Sequence, residues 1–406
     1  MQDDERIGTR IAARRKMRGL TGRQLADRAH VSYSLLTKVE TGRVPASPAL
    51  VAAVARALGV STAALTGQPY SDESRTAARL HAAIPDIRRE MAAYRLPPAD
   101  VEQVQPRTTT ELAAAVAQVS KDRHAARFDR MAAALPSLLV ELRAATHLSN
   151  TSTERGRLYG LLAEAYAATG QLVYKLGYPD LSAMTTDRYE WSAERSGNRL
   201  AQRVGDWYRA GELIATGDWG VAELVLRGAR ADLGPELGDG EATLAVYGAL
   251  HLKSALVYAR AGNAANAWSH HAEAARIATQ IGVDRDDYRL AFGPTNAAIW
   301  GVGLAVELND GPAAVTRAHD VRIGPGTPPE RTSHHYIDLA RGWLYNGDRG
   351  EKALACLNTA RRLAPQQTRN HPMVRETLLA LARVERRSTG SLREFTHWVG
   401  LEGRDI

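Results

Sequence analysis

Positive charge is the first chemistry this sequence offers. Residues 1–70 hold eleven Lys or Arg against five Asp or Glu, whereas residues 71–406 hold forty-one against forty. Nearly all of the formal net charge of +7 therefore sits in the first seventy positions. A concentrated cationic segment on a near-neutral chain fits polyanion binding, because Lys and Arg that neutralise phosphates release condensed counterions. Two histidine pairs, His270-His271 and His334-His335, suggest a metal. Adjacent residues point about 100° apart on a helix, so neither pair is a ready chelate. No CxxC, HExxH or paired-carboxylate signature joins them, and no metal site is expected. There is also no P-loop, no dinucleotide fingerprint after a strand and no G-x-S-x-G elbow. The sequence predicts a binding protein with no catalytic residues and no cofactor.

The elements that carry the basic residues are short helices. Ile7 and Ile11 fall on helical spacing with Arg14 and Arg15, and the run stops near Gly19. Thr21 and Gln24 form a capping-box pattern at the head of a second helix, whose buried side is Leu25, Ala26 and Ala29. His30-Val31 make a turn, and Ser32 caps a third helix over 33–40 with Leu36 and Val39 inward. Pro48 opens a fourth helix, and Ala63, Ala64 and Leu65 suggest a short fifth. The pair 21–29 and 32–40, joined by so short a turn, is a helix-turn-helix arrangement.

Leu20-Thr21, Leu25-Ala26, Val31-Ser32, Val39-Glu40-Thr41-Gly42-Arg43, Pro45 and Ala57-Leu58-Gly59-Val60 resemble the phage-repressor or XRE-type helix-turn-helix family. That resemblance implies that the third helix enters the major groove, where each base pair shows a distinct edge. It implies base contacts for Tyr33, Ser34, Thr37 and Lys38, and phosphate contacts for Arg10, Arg23 and Arg43. Arg15 and Glu40 match the family's internal ion pair, which places the recognition helix without touching a base. One position departs from the pattern: Gly22 stands where the family commonly has a phosphate-contacting glutamine, and Arg23 is the expected substitute.

The polar, turn-rich stretch 66–75 reads as a linker, followed by a helix over 76–95 that ends at Leu96-Pro97-Pro98. Domain limits are expected at 1–67 for the DNA-binding head, 68–107 for a linker and connecting helix, and 108–406 for a helical body. Within that body Gly170, Gly217, Gly262 and Gly347 each follow an apolar-periodic stretch and precede another, as stops between helices would. Residues 334–367, with Ile337, Ala340, Leu344, Ala353, Leu357, Ala360 and Pro365, resemble a degenerate tetratricopeptide repeat. The expected fold is all-α: a five-helix helix-turn-helix bundle followed by a tetratricopeptide-like α-solenoid. Gly293-Pro-Thr-Asn296, Asp338-Leu339-Ala340-Arg341 and Arg369-Asn-His-Pro372 further resemble the C-terminal part of actinobacterial regulators that join such a head to such a body.

Cys356 is the sole cysteine, so no intrachain disulfide is possible, and no apolar stretch of about 18 residues appears. A cytoplasmic location without membrane contact is expected. The body should dimerise, presenting two heads to a pseudo-palindromic operator on double-stranded DNA. Its concave face is expected to take a small-molecule or peptide effector, with Trp268, His271, Asn296, Trp300 and Tyr336 as candidate contacts. A DNA-tethered protein-interaction scaffold without a ligand is the alternative.

Overall fold

The head consists of α1 (Ile7–Met17), α2 (Gly22–Ala29), α3 (Tyr33–Glu40), α4 (Pro48–Leu58) and α5 (Thr62–Thr66), as seen in a computed structural model that describes residues 6–70, 80–99, 101–346, 350–384 and 390–401. Local chemistry sets the helix starts. Thr21 Oγ1 accepts from the Gln24 amide at 3.2 Å, and the Gln24 side chain accepts in return from the Thr21 amide at 2.9 Å. Ser32, Ser47 and Ser61 cap α3, α4 and α5 with their hydroxyls. His30 takes the left-handed conformation at φ 54° and turns α2 sharply into α3. Ile7, Ile11, Leu25, Leu36, Val54 and Leu65 are fully or almost fully buried in the common core.

The body is a succession of helices joined by tight turns. It begins with α6 (Ile84–Ala93), α7 (Thr109–His124), α8 (Phe128–Leu148), α9 (Ser152–Leu176), α10 (Pro179–Ser196) and α11 (Arg199–Ala215). It continues with α12 (Trp219–Leu233), α13 (Glu241–Arg260), α14 (Ala264–Ile281), α15 (Pro294–Glu307) and α16 (Gly311–Ala318). It ends with α17 (Pro329–Tyr345), α18 (Gly350–Leu363), α19 (Pro365–Asn370), α20 (Pro372–Val384) and α21 (Gly390–Trp398). Neighbouring helices pack in pairs such as α9 with α10, α13 with α14 and α17 with α18. Among the described residues the only strand-like pairing is one bridge between Arg285 and Phe292, and no helix is long and apolar enough to cross a membrane. The chain is thus all-α, a helix-turn-helix bundle followed by a solenoid-like stack. In the pair α17–α18, Ile337, Ala340, Ala353, Leu357 and Ala360 are completely buried, so small alanines do sit where the two helices meet.

The expected glycine stops divide. Gly217 and Gly262 end α11 and α13 with φ of 77° and 76°. Gly170 is a correction: it lies inside α9, where a Cβ would stand 2.6 Å from Thr185 Oγ1 of α10. The missing side chain there serves close helix contact, and the chain turns instead at Gly177, φ 89°. Gly347 falls outside the described residues, as do 71–79 of the expected linker and helix. The described part of that segment places Leu80, Ile84, Ile87 and Met91 in the same core as Leu112 and Leu135 of the body.

The head is seated on the body at two distant places. Trp219, at the start of α12, packs against the head core, and Gly217 lies against the Ala52 backbone. Far along the sequence, α20 inserts Met373 into the same head core. From the same helix, the buried Glu376 carboxylate accepts the Ile7 amide at 3.0 Å and the Ala46 amide at 3.5 Å. Arg383 donates to the carbonyls of Thr41 and Gly42, directly after α3. Gln68 Nε2 donates to the Asn370 carbonyl at 3.1 Å.

Burial raises the Glu376 carboxyl above the ordinary glutamate value, although the Ile7 and Ala46 amides and the Arg10 and Arg6 guanidiniums pull it down. A carboxyl with a raised folded-state pKa ionises first when it is released into water. Its contribution to stability is therefore present at low pH and falls as pH climbs from the ordinary glutamate value through the raised one. Urea denaturation across that interval should show this loss in the wild type and a flatter profile for Glu376→Gln. Identical pH profiles would mean that Glu376 does not titrate at the seam.

Candidate functional site

The exposed side of α3 is the candidate nucleic-acid interface. Leu36 and Val39 bury its inner side, which leaves Tyr33, Ser34, Thr37 and Lys38 facing outward together. Tyr33 keeps 50% of its surface open, a large aromatic exposure for a side chain on a packed bundle. Its ring lies under the Arg23 guanidinium, 5.6 Å away, and a Cβ on Gly22 would come within 2.9 Å of its Cε2. A side chain at position 22 would meet the Tyr33 ring, which would have to turn aside. Arg23 and Arg43 are both outside the core, one at the start of α2 and the other in the turn after α3. Arg10 sits elsewhere. It is half-buried at the seam, where its Nη1 donates to the Leu65 carbonyl at 3.5 Å and its guanidinium lies against Gly67. That engagement separates it from the outward cations on which the phosphate expectation rests.

Arg15 and Glu40 hold α3 against α1. The guanidinium donates twice to the carboxylate, Nε to Oε1 at 2.7 Å and Nη2 to Oε2 at 2.9 Å, and Nη1 also reaches the Leu20 carbonyl at 2.9 Å. Side-chain exposures of 15% and 13% keep water mostly away, so this fork is worth more than a surface pair. The bond to Glu40 raises the Arg15 pKa further.

A second candidate site lies inside the molecule. A cavity of about 350 Å3 runs between head and body. Pro48, Val51, Ala52, Thr62 and Thr66 of the head form one wall. Helices α9, α10, α11, α13, α15, α17, α19 and α20 contribute the others, with Tyr166, Trp207, Ile299 and Trp300 among the apolar surfaces. Ion pairs cross its far end: Glu307 accepts from Arg260 at 3.1 Å and from Arg341 at 3.3 Å, and Arg341 also reaches Asp338 at 3.0 Å. Glu330 lies 3.6 Å from Lys175. Burial opposes its ionisation, but Arg331 and Lys175 prevail and hold its carboxyl well below the usual range.

Of the five residues expected to meet an effector, the cavity takes Trp300. Trp268 is packed between helices, 3.8 Å from the Arg317 guanidinium and edge-on to His271. His271 Nε2 bonds the Ala297 carbonyl at 2.9 Å, Asn296 is buried in α15, and Tyr336 packs on the α17–α18 core. A residue outside that expectation is Lys253, the one lysine in the largely apolar run 250–256, and it does line the cavity.

Arg15→Ala and Glu40→Ala should each lower stability by about 1.5–3 kcal/mol, the range for hydrogen bonds to charged groups. The double variant should cost clearly less than the sum of the two, as a double-mutant cycle by urea denaturation would show. Additive losses would mean that the two groups act separately.

Comparison with known proteins agrees with this geometry. Residues 6–66 match the family model described as a helix-turn-helix domain. Over 62 residues the chain is 44% identical to the immunity repressor protein of Bacillus phage phi105, a match that covers 15% of this chain and 43% of that protein. The chain therefore spans less than half the length of this curated relative. No solved structure matches the chain. Residues 6–66 therefore form a helix-turn-helix domain, similar over this stretch to that phage repressor.

Proposed function

We propose that the chain is a transcription regulator that binds duplex DNA sequence-specifically as a twofold homodimer, and that its helical body senses a small molecule or peptide. The observation that carries this reading is the free outer face of α3. Tyr33, Ser34, Thr37 and Lys38 remain exposed although the head is fixed to the body along two other surfaces. The phage immunity repressor matched by the head supports the regulatory part. The likeness of residues 293–376 to actinobacterial regulators supports placing the protein with the chromosome in a bacterial cytoplasm. The reading gives the chain no reaction of its own.

In this arrangement Lys38 donates to guanine O6 or N7, and Ser34 and Thr37 bond base edges. Tyr33 packs on sugar or a thymine methyl group. Arg23 and Arg43 neutralise phosphates and set register. One head covers a small site, so two heads on half-sites about one helical turn apart supply the specificity. An effector acts by binding the seated and unseated arrangements of the heads with different affinity.

The first test is to sequence genomic fragments that the purified chain retains, then to measure its mass by light scattering with and without the recovered duplex. An imperfect palindrome and twice the monomer mass are expected. A monomer under both conditions would overturn the dimer. On the recovered operator Lys38→Glu should abolish specific footprinting while the melting temperature holds. Arg23→Ala and Arg43→Ala should weaken all duplexes alike and reduce the salt slope by about 0.9 for each phosphate left without its cation. A wild-type footprint for Lys38→Glu would remove α3 from the groove.

A further inference from the structure

We propose that the cavity between head and body is a binding site for a small organic anion with an apolar body, and that Lys253 holds its charged end. The proposal deepens the sensing reading above and rests on it for its consequence, though not for the binding itself.

The argument starts from the charges on the cavity wall. Each carboxylate there already has donors. Glu307 has Arg260 and Arg341, Asp338 has Arg341, and Glu330 has Lys175 with Arg331 at 3.7 Å. Glu212 accepts from the hydroxyls of Ser182 at 2.7 Å and Thr186 at 3.2 Å. Lys253 differs. It is only 8% exposed, it lines the cavity, and among the described residues it has neither a hydrogen bond nor a carboxylate within ion-pair distance. A buried ammonium is ordinarily kept only with a counter-charge. The chain supplies a rigid seat but no paired counter-charge: Glu212 acts on the amine from beyond ion-pair distance and is bonded instead by Ser182 and Thr186, while Nζ lies 3.4 Å from the centre of the Trp207 ring, which is itself fixed by a bond from Nε1 to the Ala249 carbonyl at 3.2 Å. Gly211 also lines the cavity beside it, and a Cβ there would stand 3.6 Å from Nζ. Burial, aided by Arg331 and Arg260 and opposed by Glu212, lowers this amine to about 7, and an anion beside it would favour its charged form.

The rest of the cavity sets the ligand's other end. Its volume lies in the range of roughly 300–1,000 Å3 usual for small-molecule sites. Tyr166, Ile299, Trp300 and Leu304 offer apolar and aromatic surface. Val51, Ala52 and Thr66 of the head form one side, which puts any occupant in touch with both parts of the molecule.

The test uses two fluorescent probes with one ring system, 8-anilinonaphthalene-1-sulfonate and the uncharged N-phenyl-1-naphthylamine, titrated into the full chain. The sulfonate should bind one site per chain, at least about tenfold more tightly than the amine, as a buried charge pair requires. Lys253→Met should abolish that advantage and leave the affinity for the amine unchanged. Gly211→Leu should weaken both probes by filling the space, and circular dichroism melting checks that each variant is folded. If Lys253→Met disrupts the fold, Lys253→Gln carries the same expectation. Equal affinity of the wild type for both probes, or wild-type sulfonate affinity in a folded Lys253 variant, overturns the proposal. Operator binding by the same samples reads the sensing function separately. A wild type that binds its operator but does not discriminate between the probes sinks the cavity assignment alone. Sulfonate held by Lys253 without any change in operator affinity keeps the site and sinks the sensing.

Discussion

A buried carboxylate facing backbone amides fixes the head to the body. Glu376 reaches the Ile7 and Ala46 amides across 369 and 330 residues of sequence. Backbone amides cannot move to another rotamer, so this acceptor defines where α1 begins and where the loop before α4 lies. Arg383 defines a second point by holding the carbonyls of Thr41 and Gly42. The two anchors stand about 10 Å apart along one helix. Two separated anchors on a rigid rod set orientation as well as place, so the direction in which α3 faces depends on where α20 lies in the solenoid.

Helix α4 connects the two candidate sites. Leu50, Val54 and Leu58 belong to the core that supports α3, whereas Val51 and Ala52 also face the internal cavity. An occupant of the cavity and a duplex on α3 would therefore press on the same small bundle. Contact alone produces no response: a ligand shifts an equilibrium only by the difference in its affinity for the two arrangements, and moving from 1:99 to 99:1 takes about 5.5 kcal/mol. The wall shared by head and body is where such a difference can arise, because unseating the head removes part of the site.

Local chemistry is what the sequence discloses most fully. The reciprocal cap of Thr21 and Gln24, the serine caps and Pro48 are signals within four residues, and α2 to α5 begin where they stand. The Arg15–Glu40 fork is readable from the family pattern, and the α17–α18 pair from its alanine spacing. Gly170 misleads because a glycine between apolar stretches looks the same whether it ends a helix or lets a neighbour approach. Only the position of Thr185 decides between them. Trp268 and Trp300 pose the same problem, since helical periodicity shows that a residue faces inward without showing whether it meets another helix or an internal space. Lys253 is visible as an anomaly in an apolar run, but its meaning requires the partners of every nearby carboxylate.

Net charge needs the same correction. The cationic excess of the first seventy residues suggests a uniformly DNA-seeking head, yet its basic side chains do different work. Arg15 is committed to Glu40, and Arg10 is drawn into the seam by the Leu65 carbonyl. Arg23, Lys38 and Arg43 stay outside the core around α3. Counterion release depends only on cations that reach phosphates. The effective charge of such an interface is therefore smaller than composition implies. The acidic side chain that the head takes from its own body, Glu376, is held by backbone amides, so Arg23, Lys38 and Arg43 are not spent on it.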